Sequence, residues 1–274
     1  KVTVEPWPRL SMVRQVLDDG AEYLGPFGSK KVAERAVAAL HETFPVRQCG
    51  GRMAKQPTQS PCALGEMGKC LSPCDGSVTP EVYDGVVTDL RDALVRAPDP
   101  VVAALTSRMD TLAAGERFED AGVVRDRLAA FIRSASRTQR LRGLTRCAEL
   151  VAARREDNGR WAVHVVRHGR LAAAGVIPPG AHAGEWVRQL RASADTVTPG
   201  PGPTPAATPE ETEKILRWLE SDGVRLVHVE GEWTSPLGGA RKHLKVHDAV
   251  HESRQSLVPF DDRRAIRPVH QPAR

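Results

Sequence analysis

The chain has 274 residues, 41% of them hydrophobic but only 4% aromatic, with a formal net charge of +5 and a pI near 9.1. That length suits two small domains, whose cores must rest on Val, Leu and Ala. No apolar run approaches the about 20 residues a membrane helix needs, so no membrane partner is expected and the chain reads as cytoplasmic. The basic balance allows an anionic partner without requiring one. The fold class reads as α+β: a mostly helical N-terminal half with a cysteine-rich metal loop and a helical hairpin, then a small mixed α/β domain.

Residues 1–28 read as an edge piece. Val2, Val4 and Trp7 alternate like a short strand that Pro6 and Pro8 end, and Leu10 to Leu17 form a second strand or a helical turn. Tyr23 and Phe27 read as core. Ser29 can cap a helix running to Phe44, with Val32, Ala36, Val37, Leu40 and Phe44 at helical spacing. Lys30, Lys31 and Arg35 sit in its first turns, where the helix dipole disfavours cations. They mark either a solvated face or an anion contact.

Cys49 to Cys74 is the stretch with chemistry in it. Cys49, Cys62, Cys70 and Cys74 are four of the five cysteines, and Gly50, Gly51, Gly65, Gly68, Pro57, Pro61 and Pro73 keep the segment a loop. So few large apolar residues cannot hold it, and a cross-link is needed. Two disulfides would suit a secreted chain, but no signal peptide is evident. Structural zinc prefers paired knuckles, and only Cys70 and Cys74 form one. An iron–sulfur cluster tolerates uneven spacing and cysteines beside proline, as at Pro61-Cys62 and Pro73-Cys74. Spacing alone does not separate zinc from iron–sulfur.

Beyond the loop, Thr79-Pro80-Glu81 starts a helix with a Val82, Val86, Leu90, Leu94 stripe, broken at Ala97-Pro98-Asp99-Pro100. Residues 101–137 read as a helical hairpin. Val102, Leu105, Met109 and Leu112 line its first helix. Ala113 to Glu116 turn, and Phe118, Ala121, Val124, Leu128, Phe131 and Ile132 line the second. Then Arg127, Arg133, Arg137, Arg140, Arg142 and Arg146 follow with no acid between Asp126 and Glu149. Forked donors among small hydroxyls suit phosphate contact, and the missing aromatics argue against base stacking. A solvated helix face is the alternative.

From Cys147, itself read as a buried small side chain, the pattern changes. Glu149–Ala153, Trp161–Val166 and Arg170–Ile177 read as strands joined at Glu156–Gly159 and His168-Gly169. A helix over Ala183–Ala194 follows, then a Pro/Gly/Thr linker at 197–209, a helix over Glu210–Ser221, a strand over Val224–Val229 and a helix over Gly239–Val250. The tail after Leu257 reads as loose. His228 with Glu230, or His243 with His247, could bind metal, though surface histidines explain both pairs.

Several of these segments together resemble one family. Tyr23-Leu24-Gly25-Pro26-Phe27-Gly28-Ser29, Phe44-Pro45-Val46-Arg47-Gln48-Cys49 and the four cysteines are similar to the middle of the UvrC excinuclease family, the nucleases of bacterial nucleotide excision repair. Arg108-Met109, Ala113-Ala114, Arg117 to Ala121 and Val124-Arg125-Asp126 resemble its UVR motif, with Gly122 where alanine is usual. The resemblance covers residues 9–137 well and 147–180 weakly.

It implies a [4Fe–4S] cluster on Cys49, Cys62, Cys70 and Cys74, with zinc as the alternative. It implies DNA backbone contact through Arg133, Arg137, Arg140, Arg142, Lys30 and Lys31. It also implies a UvrB-like partner docked on the hairpin at Phe118, Glu119 and Arg125. The organisation expected is the end of an upstream nuclease-like domain at 1–28, the cluster region at 29–97, the hairpin at 98–140, an α/β domain at 147–256 and a tail. In the family that last domain is RNase H-like and holds metal on strand acids, which the strands here are read as lacking. The family's catalytic tyrosines lie upstream of residue 9, so no catalytic residue is assigned and a fragment is expected. UvrC-like regions fused behind a DEDDh exonuclease would account for such a start. The other reading is a zinc-binding adaptor that regulates a protein partner without nucleic acid.

Overall fold

A computed structural model describes residues 1–234, 236 and 238–244. Four of its helices build the N-terminal half: α1 (Lys30–Thr43), α3 (Pro80–Val95), α4 (Asp99–Ala114) and α5 (Phe118–Thr145), with a four-residue α2 (Ala63–Glu66) inside the cysteine loop. The starts follow the sequence. Ser29 Oγ accepts from Val32 N, and Thr79 Oγ1 accepts from Val82 N with Pro80 at the first helical position. Residues 10–17 form no strand or helix; only Val2 bridges to Leu10 and to Glu22.

Two helical faces differ from expectation. On α3 the buried side chains are Tyr83, Val87, Leu90 and Leu94, while Val82 is 56% exposed. Leu90 and Leu94 are buried as expected; in the first turns the buried face shifts to Tyr83 and Val87, where Tyr83 packs edge-on against Trp7 at 5.4 Å. On α5, Val124, Leu128, Phe131 and Ile132 are buried, but Phe118 is 66% exposed at the hairpin tip and closes no core.

The second hairpin helix does not stop near residue 137. It runs 28 residues, about 42 Å at helical rise. Its first half packs against α1 and α4, and Leu105, Leu128 and Phe131 join Tyr83 and Leu94 in the main core. Its second half carries Leu141 and Leu144 into another core with Cys147, Leu150, Ala152 and Val166. One helix therefore belongs to both halves of the chain.

The C-terminal half is a four-stranded sheet in the order β3-β2-β1-β4, from β1 (Glu149–Arg155), β2 (Trp161–Arg167), β3 (Arg170–Ile177) and β4 (Val224–Glu230). Every pairing is antiparallel, in keeping with the α+β class expected of the chain. Alternation sends Leu150 and Ala152 to one face, under α7 (Pro209–Leu219), and Val151 and Ala153 to the other, under α6 (Ala183–Ser193). The β2–β3 turn needs left-handed backbone at His168 and Gly169, and a Cβ on Gly169 would come within 2.9 Å of Thr145 Cγ2. The turn is thus wedged against the end of α5. The described part of the last expected helix is a short 3-10 segment, Ala240–His243. His247 and the expected tail lie outside the described residues.

Candidate metal centre and the arginines around it

The cysteine loop is anchored from beneath by Arg47, whose side chain is 0% exposed. Its Nε donates to Trp7 O at 2.7 Å; its Nη1 donates to Cys49 O at 3.0 Å, to Gly51 O at 2.9 Å and to Cys49 Sγ at 3.4 Å. Nη2 meets Glu5 Oε2 at 2.6 Å, an ion pair outside hydrogen-bond alignment. Tyr83 Oη accepts from Arg47 N at 2.9 Å and donates to Pro8 O at 2.8 Å. Burial pushes its phenol up to about 12. This network was not among the sequence-based expectations; its only signal is an arginine in an apolar Phe-Pro-Val run just before the first cysteine.

Each cysteine sits on a defined piece of backbone. Cys49 follows Arg47. Cys62 caps α2, its carbonyl accepting from Gly65 N at 2.8 Å. Cys74 lies in a 3-10 turn at Pro73–Asp75 entered through Ser72 in left-handed conformation. Leu71 N donates to Pro45 O at 2.8 Å, closing the loop's end onto its start. Gly65 lies close against Ser72: a Cβ there would fall 1.9 Å from Ser72 Oγ, so the serine side chain would have to turn away. The loop therefore contains a short helix where none was expected.

The other three thiols, Cys49, Cys62 and Cys74, lie near Cys70. Burial pushes its thiol up, the Ser72 amide opposes that from 3.4 Å, and the charges of Cys49, Cys62 and Cys74 push it up further. No three of the four sulfurs lie within 4.8 Å of one another. A tetrahedral zinc would draw its sulfurs to about 3.8 Å. The donors fit a thiolate-bound group: four sulfurs, two of them already taking N–H donors of the kind that orient and tune metal ligands.

The arginine run does not form one face. Arg127 pairs with Glu42 at 3.0 Å. Arg137 pairs with Glu213 and donates to Pro26 O at 3.2 Å, and Arg140 pairs with Glu220 at 2.7 Å. These last two tie α5 to α7. Arg133 is exposed, and Arg142 turns instead toward α3. Lys30 and Lys31 are exposed at the start of α1, where Lys30 lies 3.4 Å from Glu34. At the hairpin tip Phe118 and Glu119 are exposed, while Arg125 is partly buried and meets Asp126 at 3.5 Å.

The sheet does carry acids, contrary to expectation. Glu149 at the start of β1, His228 and Glu230 bring ligand atoms within 4.8 Å of one another. Arginines occupy the spot: Arg167 Nε donates to Glu149 at 2.8 Å, Arg191 pairs with the other carboxylate oxygen, and Arg191 Nη2 lies 3.0 Å from His228 Nε2. Burial would raise the Glu149 carboxyl, but hydrogen bonds and charge from Arg167 and Arg191 hold it below the ordinary carboxylate range. His243 pairs with Asp99 at 2.8 Å. Cys147 is buried, which pushes its thiol up.

Comparison with known proteins adds the relationship. Residues 1–93 match the family described as the UvrC/Cho excinuclease middle domain. A bifunctional exonuclease/endonuclease protein of Mycobacterium tuberculosis is 33% identical over 276 residues, 95% of this chain and 42% of its own length. UvrABC system protein C of Desulforudis audaxviator is 34% identical over 62% of this chain and 28% of its length. The Thermus thermophilus protein of that name is 36% identical over 47% and 22%. This chain thus spans less than half the length of these relatives. No solved structure matches it. Residues 1–93 carry the match to the UvrC/Cho middle-domain family, and the similarity to UvrC proteins covers more of the chain than that segment.

Proposed function

We propose that this chain is the non-cleaving region of a UvrC-like DNA repair endonuclease, one that holds a metal cluster, engages the DNA backbone and docks a UvrB-like partner. The observation that carries the reading is the placement of Cys49, Cys62, Cys70 and Cys74 as free thiols on one loop within the segment that matches the UvrC/Cho family. The resemblance of the loop to the UvrC middle region is what favours [4Fe–4S], with a single zinc as the alternative. When bound, such a cluster cross-links the loop and supplies a one-electron redox centre. The chain's own residues do the holding: Arg47 fixes the Cys49 limb, Ser72 the Cys70 limb, and the Leu71–Pro45 hydrogen bond joins them.

The exposed hairpin tip supports partner docking. An aromatic left two-thirds in solvent at a helix start is the kind of residue that anchors an interface. Cleavage is assigned elsewhere in the parent protein, because Glu149, the buried acid of the sheet, stands against the guanidinium groups of Arg167 and Arg191. The test is metal analysis with a visible spectrum on protein purified without oxygen. Iron and sulfide, lost in Cys62→Ala, are expected. One zinc in colourless protein would instead favour the adaptor that works without nucleic acid, and thiols free of any metal would sink both.

A further inference from the structure

α3 and α5 lie side by side, and their C-terminal halves border a cleft of about 760 Å3. Its polar lining comes chiefly from Arg91, Arg96, Arg142, Arg146, Asp92 and Glu22. The acids are already used: Arg91 lies 3.0 Å from Glu22, and Arg96 pairs with Asp92 at 2.7 Å. Arg142 and Arg146, four residues apart on α5, have no ion-pair partner among the described residues, with Glu232 as the remaining acid on the lining. Like charges at that spacing repel. The dipole of α5 favours cations in its last turn, which explains a positive charge there. It does not explain why Arg142 Nε is closed off from water without an acceptor, nor why Arg91 Nε is closed off and misaligned on Glu22. Burial and the charges of Arg146 and Arg96 hold the Arg142 guanidinium below its ordinary pKa. An oxyanion arriving in the cleft would relieve both the crowding and the orphaned donor.

The far wall is built for close approach. Gly143, between the two arginines, lets the segment after β4 come in: a Cβ there would sit 2.6 Å from Thr234 O. The cleft is therefore a junction between the UvrC-like helices and the end of the C-terminal sheet. Its walls are polar and charged, which suits an anion better than an apolar molecule.

We propose that this cleft is a phosphate-binding site in which Arg142 and Arg146 take one phosphodiester of a DNA backbone. This rests on the DNA-contact reading above and relocates it. Arg137 and Arg140 lock α5 to α7, and the phosphate sits on the α3 side of the helix instead.

The test is duplex binding by fluorescence anisotropy across a salt series, with the full chain and two double variants. R142Q/R146Q should lower affinity roughly tenfold to a hundredfold, as lost charged hydrogen bonds do, and should flatten the log–log salt slope by about 0.9, one phosphate's share. R108Q/R188Q removes the same charge from exposed positions elsewhere and should leave the slope unchanged. Single R146Q, at an exposed residue that cannot disturb the core, should move in the same direction as the double variant. If the wild type binds duplex and R142Q/R146Q behaves like R108Q/R188Q, the cleft proposal is overturned while DNA contact stands. If the wild type binds no duplex but inorganic phosphate shifts the Arg142 Nε–H resonance, the site is upheld and its ligand is a free phosphate. Neither response overturns both readings.

Discussion

Replacing Arg47 by methionine keeps most of the side chain's volume but removes all of its guanidinium donors beneath the cysteine loop. In the native chain that side chain donates to the carbonyls of Trp7, Cys49 and Gly51 and faces the Glu5 carboxylate. Removing one partner of a buried ion pair costs about 3–5 kcal/mol, because the other charge is left without compensation. The three orphaned carbonyls act in the same direction, each by up to about 1–3 kcal/mol where water cannot reach them. Glu5 keeps some exposure, its side chain at 13%, and retains Arg9 at 3.6 Å and the Thr3 hydroxyl at 2.6 Å, so the lower end, about 3 kcal/mol, is expected. For a domain of this size that shifts the melting temperature by roughly 6–12 °C. Urea unfolding of metal-free protein measures it without any contribution from a bound group. R47M/E5Q should recover part of the loss, since it removes the stranded charge as well. A single variant within about 0.5 kcal/mol of wild type, the range of ordinary surface substitutions, would refute the reasoning that Arg47 organises the loop.

Tyr83→Phe deletes only the hydroxyl that joins Pro8 O to Arg47 N, and should cost about 1–3 kcal/mol in the same unfolding assay. Because Arg167 and Arg191 hold the Glu149 carboxyl below its ordinary value near 4.5, its stabilisation is complete above that pH and is lost as pH falls through the folded value. The urea midpoint should therefore drop on acidification below about pH 4.5 in wild type, and less steeply in Glu149→Gln, which starts less stable at neutral pH. Phe118→Ala, at an exposed helix start, should leave stability within about 0.5 kcal/mol. By calorimetry it should weaken binding of a UvrB-like C-terminal hairpin at least about 30-fold if the side chain is an interface anchor.

What the amino-acid order determined by itself was local. Ser29, Thr79-Pro80 and the His168-Gly169 turn satisfy or bend backbone within four residues, so their caps and hairpins were legible and appear where expected. The cysteine-rich loop was legible for the same reason, because its glycines and prolines keep regular structure there to single turns such as α2. The tertiary structure decided everything that depends on partners far along the chain. Arg137 and Arg140 read as an open basic run, yet the acids that meet them, Glu213 and Glu220, lie 76 and 80 residues away and arrive only when α7 packs on α5. Helical spacing offered two neighbouring faces for the first turns of α3, and the one with Tyr83 packs on Trp7, from the chain's first residues. Arg47 could not be read as a buried anchor, since its burial requires four oxygens from Glu5, Trp7, Cys49 and Gly51 to converge on one guanidinium. Charge and propensity are written in sequence; which charge is matched, and which face is covered, is settled by packing over distances that no local pattern encodes.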